Sequence, residues 1–151
     1  NGGTLRDAVG NGASTTLNGV GSTSGVLVDA VAPTVASVSV PASGAYNAGD
    51  VLSFTVNASE AVLVDTGGGT PRLALDIGGV TRYATYVSGS GSTALVFQYS
   101  VQAGDTDGDG IAVSALDLNG GTTRDAAGNG LDLTLNSVGA TSGVLVDTTA
   151  P

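Results

Sequence analysis

The sequence predicts an all-β chain built from a tandem repeat, and three observations lead to this prediction. Across residues 34–151, short runs of alternating apolar and polar residues are separated by turns rich in Gly, Ser, Asn and Asp; alternation with a period of two is typical of β-strands. No stretch carries apolar residues at helical spacing over several turns. Residues 1–33 recur as residues 119–151, with 24 of 33 positions identical at an offset of 118 residues, which is typical of repeat arrays.

The repeat divides the chain into two parts. Residues 34–151 form one complete repeat that ends in the next linker, and residues 1–33 are the C-terminal part and linker of a preceding repeat. A repeat of 118 residues is long enough to bury one core, whereas the 33 leading residues are too few to fold alone. We therefore expect the leading segment to pair with the main repeat, to pair with a neighbouring molecule, or to remain unpaired.

The first part of the repeat contains five candidate strands. Alternation begins at residue 34, and after a turn at 41–50 it places Leu52, Phe54 and Val56 on one face of a strand. The motif NASE, residues 57–60, is interpreted as the next turn. Gly78 and Gly79 fit a two-residue hairpin turn. The five candidates are 34–40, 51–57, 61–65, 72–77 and 80–87.

The second part of the repeat adds four candidates, separated by an acidic loop at 105–110 and a long turn at 119–130. They are 94–102, 111–118, 131–135 and 143–147. Nine strands in a domain of immunoglobulin size predict an Ig-like antiparallel β-sandwich of the Greek-key type. A small closed barrel is the alternative.

Composition excludes several functional classes. The chain has no His, Cys or Lys, and its net charge is −9. It therefore lacks disulfides, thiolate metal sites, the commonest general base and any basic patch for nucleic acid. No apolar run is long enough to span a bilayer, and no signal peptide is visible. We expect no enzyme, and we expect any metal to be held by oxygen ligands.

The acidic loop is the strongest candidate metal-binding motif. Asp105, Asp107 and Asp109 alternate and precede Gly110, so their carboxylates can converge on one hard cation such as Ca²⁺, as in the first half of an EF-hand loop. The second half of that motif is missing, because Leu116 stands where an EF-hand has Glu. Further ligands must come from elsewhere in the chain. The alternative is an acidic Asx turn without metal.

Strand order predicts where the further ligands lie. If every strand runs antiparallel to the next, the NASE turn and the loop 105–110 share the end of the domain that faces the leading linker, residues 29–33. The candidate ligands at that junction are Asp7, Asn11, Asp29, Glu60, Asp105, Asp107 and Asp109. The candidates at the opposite end, awaiting the next repeat, are Asp125, Asn129 and Asp147.

Both turn motifs also have an interpretation without metal. The motif RDAAGN, residues 124–129, can be a Gly turn in which Asp and Asn cap backbone groups. Glu60 can be an exposed turn carboxylate.

Several stretches, in this order and spacing, resemble the tandem Ig-like repeats of very large bacterial surface proteins. These stretches are the D-x-x-A-P linkers, GDVLSFTVNASEAV, GGVTRYATYVSGSGS, GDTDGDGI and RDAAGN. The family includes RTX-type adhesins, whose repeats are cadherin-like extender modules. The resemblance covers essentially the whole repeat. It implies a secreted, extracellular stalk at the bacterial cell surface, stiffened by calcium wedged between consecutive repeats, and it implies no catalytic activity.

The expected function is therefore a structural extender that projects adhesive regions for attachment or biofilm formation. Its expected partners are adjacent repeats of the same polypeptide or neighbouring copies arranged head to tail, with no nucleic acid and no membrane insertion. A second hypothesis is a subunit of an extracellular filament or sheath, assembled by strand addition between neighbours. A third is a glycan-binding module, although four Tyr, two Phe and no Trp leave few rings for stacking on sugars.

Overall fold

The computed structural model of the protein describes residues 2–150. It contains ten β-strands and no helix in this range, so the predicted all-β class is confirmed. Consequently, no helix of the described residues is long and apolar enough to cross a membrane. The strands are β1 (Val35–Ser39), β2 (Gly44–Tyr46), β3 (Val51–Asp65), β4 (Arg72–Ile77), β5 (Val80–Ser88), β6 (Ser92–Ser100), β7 (Thr106–Asp107), β8 (Ala112–Asp117), β9 (Thr122–Arg124) and β10 (Val144–Asp147).

Two sheets enclose the core. The larger, seven-stranded sheet has the order β1-β3-β6-β5-β4-β8, with β9 paired to β3, and its antiparallel strands curl into a half-barrel. The smaller sheet has the order β2-β10-β7, in which β10 is parallel to β2 and antiparallel to β7. Buried side chains from both sheets belong to one apolar cluster. These contacts hold the small sheet against the large one.

The alternation predicted for the central strands is confirmed by the ladder between β3 and β6. Along this ladder, apolar residues pair directly and are at most 7% exposed, while the intervening Ser53 and Gln98 are exposed. The paired core residues are Leu52 with Tyr99, Phe54 with Phe97, and Val56 with Leu95. Each such side chain contributes about 1.5–3 kcal/mol through burial.

Strand β3 corrects the prediction of two strands joined by a turn at NASE. Val51–Asp65 is one strand of 15 residues, and residues 58–61 form a bulge between the β6 partners of Asn57 and Val62. This stretch contains no Gly or Pro. Ala58, its first residue, and Val62, which follows it, both remain in the core. The chain therefore continues in the same direction until its last residues pair with β9. One expected reversal is missing, so β4, β5, β6 and β8 run opposite to the prediction, whereas β10 keeps its predicted direction.

This direction defines two ends of the repeat. At the linker end, Val35 of β1 lies beside Ala58 of β3. At the opposite end, Val51 of β3 pairs with Ser100 of β6, and the loop that follows Ser100 lies there too.

The remaining differences from the predicted elements concern short segments. Residues 131–135 form no strand; Asp132 makes an isolated bridge with Thr34, and Leu131 is buried in the core. The short strands β2, β7 and β9 were not among the predicted elements, because two or three residues carry too little alternation to be recognised. The hairpin at Gly78 and Gly79 is confirmed, with φ of 58° and 82°.

The leading segment does not pack against the core. Residues 2–32 are exposed throughout, and Pro33 is the first buried residue. One local structure persists in this segment: Arg6 bridges to Gly12, as Arg124 bridges to Gly130 in the main repeat. The RDAxGN motif therefore sets its own turn conformation without help from the core.

Candidate metal site

The leading linker lies against the main repeat through backbone hydrogen bonds. The N–H of Ser59, in the β3 bulge, donates to the Thr34 carbonyl at 2.8 Å, and the N–H of Asp132 donates to the Pro33 carbonyl at 2.8 Å. The side-chain amide of Asn129 donates to the carbonyls of Asp29 and Val31, both at 3.2 Å. The RDAAGN turn therefore holds the linker that precedes its own repeat.

Three carboxylates meet where the linker crosses the body. Oxygen atoms of Asp29, Glu60 and Asp125 all lie within 4.8 Å of one another, and no other group of three potential ligands in residues 2–150 is this close. The linker supplies Asp29, the β3 bulge supplies Glu60, and the turn after β9 supplies Asp125. Because β9 pairs with the last residues of β3, the bulge and the RDAAGN turn share one end of the repeat. We call these three residues the acidic triad.

Local hydrogen bonds fix the Asp125 carboxylate. Its Oδ1 accepts the backbone N–H of Asn129 at 2.8 Å, and its Oδ2 accepts the side-chain amide of Asn129 at 2.7 Å. Burial raises the pKa of Asp125, but these hydrogen bonds outweigh burial and keep its pKa below the ordinary value. Asp125 is only 4% exposed, and it is therefore an ionised carboxylate in a largely buried position.

No arginine neutralises the triad. The ion pairs between described residues are Arg72 with Asp117 and Arg82 with Asp105. Repulsion between like charges less than 5 Å apart is on the order of a few kcal/mol near a protein surface. A hard divalent cation would remove this repulsion, since carboxylate oxygens are the ligands that Ca²⁺ prefers. The three side chains would leave the other coordination positions to water and backbone oxygens.

The acidic loop lies at the opposite end of the repeat, contrary to the prediction that it shares the linker end with Glu60. Asp105 and Asp107 follow β6, whose last residue pairs with the first residue of β3. Conversely, Asp125 and Asn129 lie at the linker end and not at the far end where they were expected. The cause of both errors is the missing reversal at NASE.

Asp105 is bound by other protein groups. Its Oδ1 is 2.6 Å from a guanidinium nitrogen of Arg82, and its Oδ2 accepts the Tyr99 hydroxyl and the backbone N–H of Gln102. Burial raises the pKa of Asp105, whereas the hydrogen bonds from Tyr99, Gln102 and Arg82 lower it, and the net pKa is below the ordinary value. Burial and the bond to this carboxylate raise the pKa of Tyr99 to about 12. These contacts give Asp105 a structural role.

Asp107 caps the acidic loop in the way an Asx turn does. Its Oδ2 accepts the N–H of Gly78, and its Oδ1 accepts the N–H groups of Asp109 and Gly110. Asp109 is exposed and, with Asp107 and Asp147, lines an open cleft. Asp147 lies at this far end, as predicted, beside Thr106 of β7. Its Oδ1 accepts the N–H and hydroxyl of Thr149.

Asp7 and Asn11 form a separate turn in the leading segment. Asp7 accepts the backbone N–H groups of Val9 and Asn11 and the side-chain amide of Asn11. The pKa of Asp7 is lowered, chiefly by the side-chain bond from Asn11. Of the predicted ligands, then, the structure brings Asp29, Glu60 and Asp125 together and leaves Asp7 and Asn11 outside the triad.

Comparison of the chain with protein families, with curated proteins and with solved structures gave no match in any of the three.

Proposed function

We propose that this chain is a structural extender repeat of a bacterial cell-surface adhesin, with calcium fixing each linker to the repeat that follows it. The proposal includes an extracellular location and the RTX-type adhesin family, both of which derive from the sequence resemblance. We also propose that the all-β fold is an Ig-like β-sandwich. Two sheets that share one apolar cluster support that description.

The acidic triad is the observation that carries the proposal. It joins one residue of the linker, Asp29, to two residues of the body, Glu60 and Asp125. A cation bound by all three carboxylates would fix the direction of the linker relative to the repeat. Without a cation, repulsion between the carboxylates opposes this contact. The expected result is a stalk whose linkers stiffen in millimolar calcium, the range in which weak extracellular calcium sites bind.

Asp147 extends this argument to the next repeat. It stands 118 residues after Asp29 in the same GVLVD context, so it is the linker aspartate for whatever repeat follows. Each repeat would then supply Glu60 and Asp125 for its own leading linker and an Asp147 for the following site. An array of identical repeats would then hold one calcium ion per linker.

Calcium titration by calorimetry tests the proposal with matched single-charge variants. The unmodified chain should bind Ca²⁺ with a Kd of about 10⁻⁴–10⁻³ M, and Mg²⁺ should compete weakly. Asp125→Asn and Glu60→Gln should each weaken binding at least tenfold, because each removes one carboxylate from the triad. Two variants are used because Asp125 also holds Asn129 in its turn, whereas Glu60→Gln changes only the charge of a half-buried side chain.

Asp109→Asn is the control for these variants. It removes one exposed carboxylate from the acidic loop at the far end, and the proposal expects calcium binding to be unchanged. If Asp109→Asn abolishes binding while Glu60→Gln does not, the ion lies in the acidic loop and the proposed role of the triad is wrong.

A further inference from the structure

We propose that Asn129–Gly130 is a site of spontaneous deamidation, and that this reaction irreversibly releases the leading linker from the repeat. The inference goes beyond the proposed function, since the reaction takes place within the peptide chain and needs no calcium. Three features of the structure support it: the hydrogen bonds of the Asn129 amide, the accessible nitrogen of Gly130, and the contact between this turn and the linker.

One Asn–Gly pair of the chain contacts the linker. Asn–Gly pairs favour deamidation, because Gly has no side chain to hinder attack of its nitrogen on the preceding Asn. In residues 2–150 such pairs stand at 11–12, 18–19, 119–120 and 129–130. Of these, only Asn129 donates its side-chain amide to the linker, where it reaches the carbonyls of Asp29 and Val31. A reaction at this pair therefore acts directly on the attachment of the linker.

The backbone nitrogen of Gly130 is accessible for this attack. Gly130 is exposed, and apart from its chain neighbours the nearest atom to a Cβ placed on it would be the Thr123 carbonyl oxygen at 4.0 Å. Its bridge with Arg124 is made by a flanking residue, since the Leu131 N–H donates to the Thr123 carbonyl at 3.0 Å. Among the described residues, the Gly130 N–H itself has no hydrogen-bond acceptor. Solvent base can therefore remove its proton without breaking a hydrogen bond of the turn.

The reaction consumes water and releases ammonia. First, the Gly130 nitrogen gives its proton to solvent base and attacks Cγ of Asn129. The new N–Cγ bond closes an imide ring as the Cγ–Nδ2 bond breaks, and Nδ2 takes up a proton and leaves as ammonia. Water then adds to one of the two imide carbonyls, and the ring opens. The product at position 129 is aspartate, or isoaspartate in which the backbone runs through the side chain.

The attached linker hinders ring closure. Nδ2 of Asn129 donates to the Asp125 carboxylate at 2.7 Å and to the carbonyls of Asp29 and Val31 at 3.2 Å. These bonds hold the amide against the linker, whereas ring closure requires Cγ to meet the Gly130 nitrogen. The reaction must therefore proceed from molecules in which the linker has transiently separated, and its rate follows their fraction.

Deamidation removes the contact that holds the linker. An aspartate at position 129 has an oxygen where Nδ2 stood, and this oxygen would face the two linker carbonyls and the Asp125 carboxylate, all of which are acceptors. Two hydrogen bonds to the linker are lost, and a like charge is added beside Asp125. The ratio of attached to released linker should therefore fall on the order of tenfold. Because the ammonia has left, the attachment does not recover.

The leading segment contains a matched reference for this reaction. Residues 6–12 read RDAVGNG, and residues 124–130 read RDAAGNG. In both turns an Asp carboxylate accepts the backbone N–H and the side-chain amide of the Asn, at 2.8 and 2.8 Å for Asn11 and at 2.8 and 2.7 Å for Asn129. In the full chain, Asn129 has the linker carbonyls in addition. The two rates of deamidation, compared within one molecule, therefore measure the effect of the linker.

Peptide mapping of the full chain tests the site. The chain would be incubated in EGTA at mildly alkaline pH, digested with trypsin, and analysed by mass spectrometry; cleavage after Arg6, Arg72 and Arg124 separates the two turns. Asn11 should deamidate several-fold faster than Asn129 in the folded chain, and the two rates should become equal in urea. The inference is overturned if the rates are equal in the folded chain, if their ratio is the same in urea, or if Asn129 is unchanged once Asn11 has fully reacted.

The effect on the linker is tested with Asn129→Asp, which has the sequence of the aspartate product, and with Asn11→Asp as its matched control. NMR spectra in EGTA would follow the backbone amides of residues 29–32. Asn129→Asp should move these signals toward those of an unstructured chain while the signals of β3 and β6 stay in place, and Asn11→Asp should leave all of them unchanged. Linker signals that are identical in Asn129→Asp and the unmodified chain would also overturn the inference. Because EGTA is present, neither experiment depends on the calcium proposal.

Discussion

At the scale of single residues, two buried aspartates of this chain, Asp105 and Asp125, have different roles. Asp105 is buried and bonded to Arg82 and Tyr99, whereas Asp125 is buried beside two other carboxylates. Both are held by hydrogen bonds that lower their pKa against the effect of burial. The difference is that Asp105 has a cationic partner and Asp125 has none among the described residues. A metal role therefore suits Asp125 and a structural role suits Asp105.

Asp105→Asn should destabilise the repeat by about 3 kcal/mol, because it removes the buried charge that accepts hydrogen bonds from Tyr99, Gln102 and Arg82. Urea unfolding in EGTA and in calcium measures this loss, which should be the same in both. Asp109→Asn, from the same loop, should change stability by less than about 0.5 kcal/mol. A loss for Asp105→Asn that appears only in calcium would contradict its structural role.

The Tyr99–Asp105 pair also predicts how stability depends on pH. The folded-state pKa of Asp105 lies below the ordinary value of 3.8, so its contribution to stability is present above about pH 4 and is lost as pH falls through the folded-state pKa. The folded-state pKa of Tyr99 is raised to about 12, so its contribution is lost as pH rises between about 10 and 12. Urea midpoints across pH should show both losses. Tyr99→Phe should flatten the alkaline limb, and an unchanged alkaline limb would contradict the assignment.

At the scale of elements, the bulge in β3 determines the arrangement of the site. Residues 58–61 keep the strand direction and place Glu60 beside the linker. At the far end, the two-residue hairpin between β4 and β5 brings Gly78 into contact with β7. The β3 bulge and this hairpin each combine a local backbone distortion with a contact to residues distant in the sequence.

Gly78→Ala and Gly79→Ala form a matched pair that separates these two contributions. Both residues have positive φ, so each substitution should cost about 1–2 kcal/mol in backbone strain. A Cβ on Gly78 would in addition lie only 2.0 Å from the Thr106 carbonyl oxygen, whereas a Cβ on Gly79 meets nothing within 4 Å. Gly78→Ala should therefore be less stable than Gly79→Ala by a further 1–3 kcal/mol, roughly the cost of overpacking. Equal unfolding free energies would show that this close approach is absent.

The elements also show how far the sequence predicts this structure. The alternation of apolar and polar residues locates the long strands. Leu52, Phe54 and Val56 occupy every second position of β3, so their side chains lie on one face and are buried in the core. The bulge at 58–61 was missed because Asn57 and Ser59 are residue types common in turns. That single error reversed the placement of the acidic loop and of Asp125. The absence of Gly and Pro from NASE was the signal that could have prevented it.

The prediction that Asp29 and Glu60 lie at the same end of the repeat agrees with their position in the acidic triad. The roles of Asp105 and Asp107 were not predictable in the same way. Their partners, Arg82 and Gly78, are 23 and 29 residues away in the chain. Only the three-dimensional arrangement distinguishes a satisfied carboxylate from one that is free to bind a cation.

At the scale of the whole molecule, the structure separates an exposed leading segment from a packed repeat. Residues 2–32 make no contribution to the buried core, whereas Pro33 and Val35 are buried. The acidic triad lies at the boundary between these parts. Its linker residue, Asp29, stands close to the point where packing begins.

Two truncations should locate this boundary. A chain of residues 29–151 should unfold within about 0.5 kcal/mol of the full chain in EGTA, because the deleted residues are exposed. Calcium should still raise the unfolding free energy of this chain, since Asp29 is retained. A chain of residues 34–151 should lose that response along with Asp29. Urea unfolding in EGTA and in calcium compares all three, and an equal calcium response in both truncated chains would rule out a ligand role for Asp29.

The central claim is that calcium holds the linker to the repeat, and the melting temperature of the full chain tests it most directly. The measurement compares excess EGTA, about 10 mM calcium and about 10 mM magnesium. With a Kd of about 0.1–1 mM, calcium should add about 1.4–2.7 kcal/mol of stability, which corresponds to a rise of roughly 5–10 °C for a domain of this size. Magnesium should give little of this rise. Equal melting temperatures in EGTA and calcium would contradict the claim and leave the three carboxylates as an acidic surface without a bound ion.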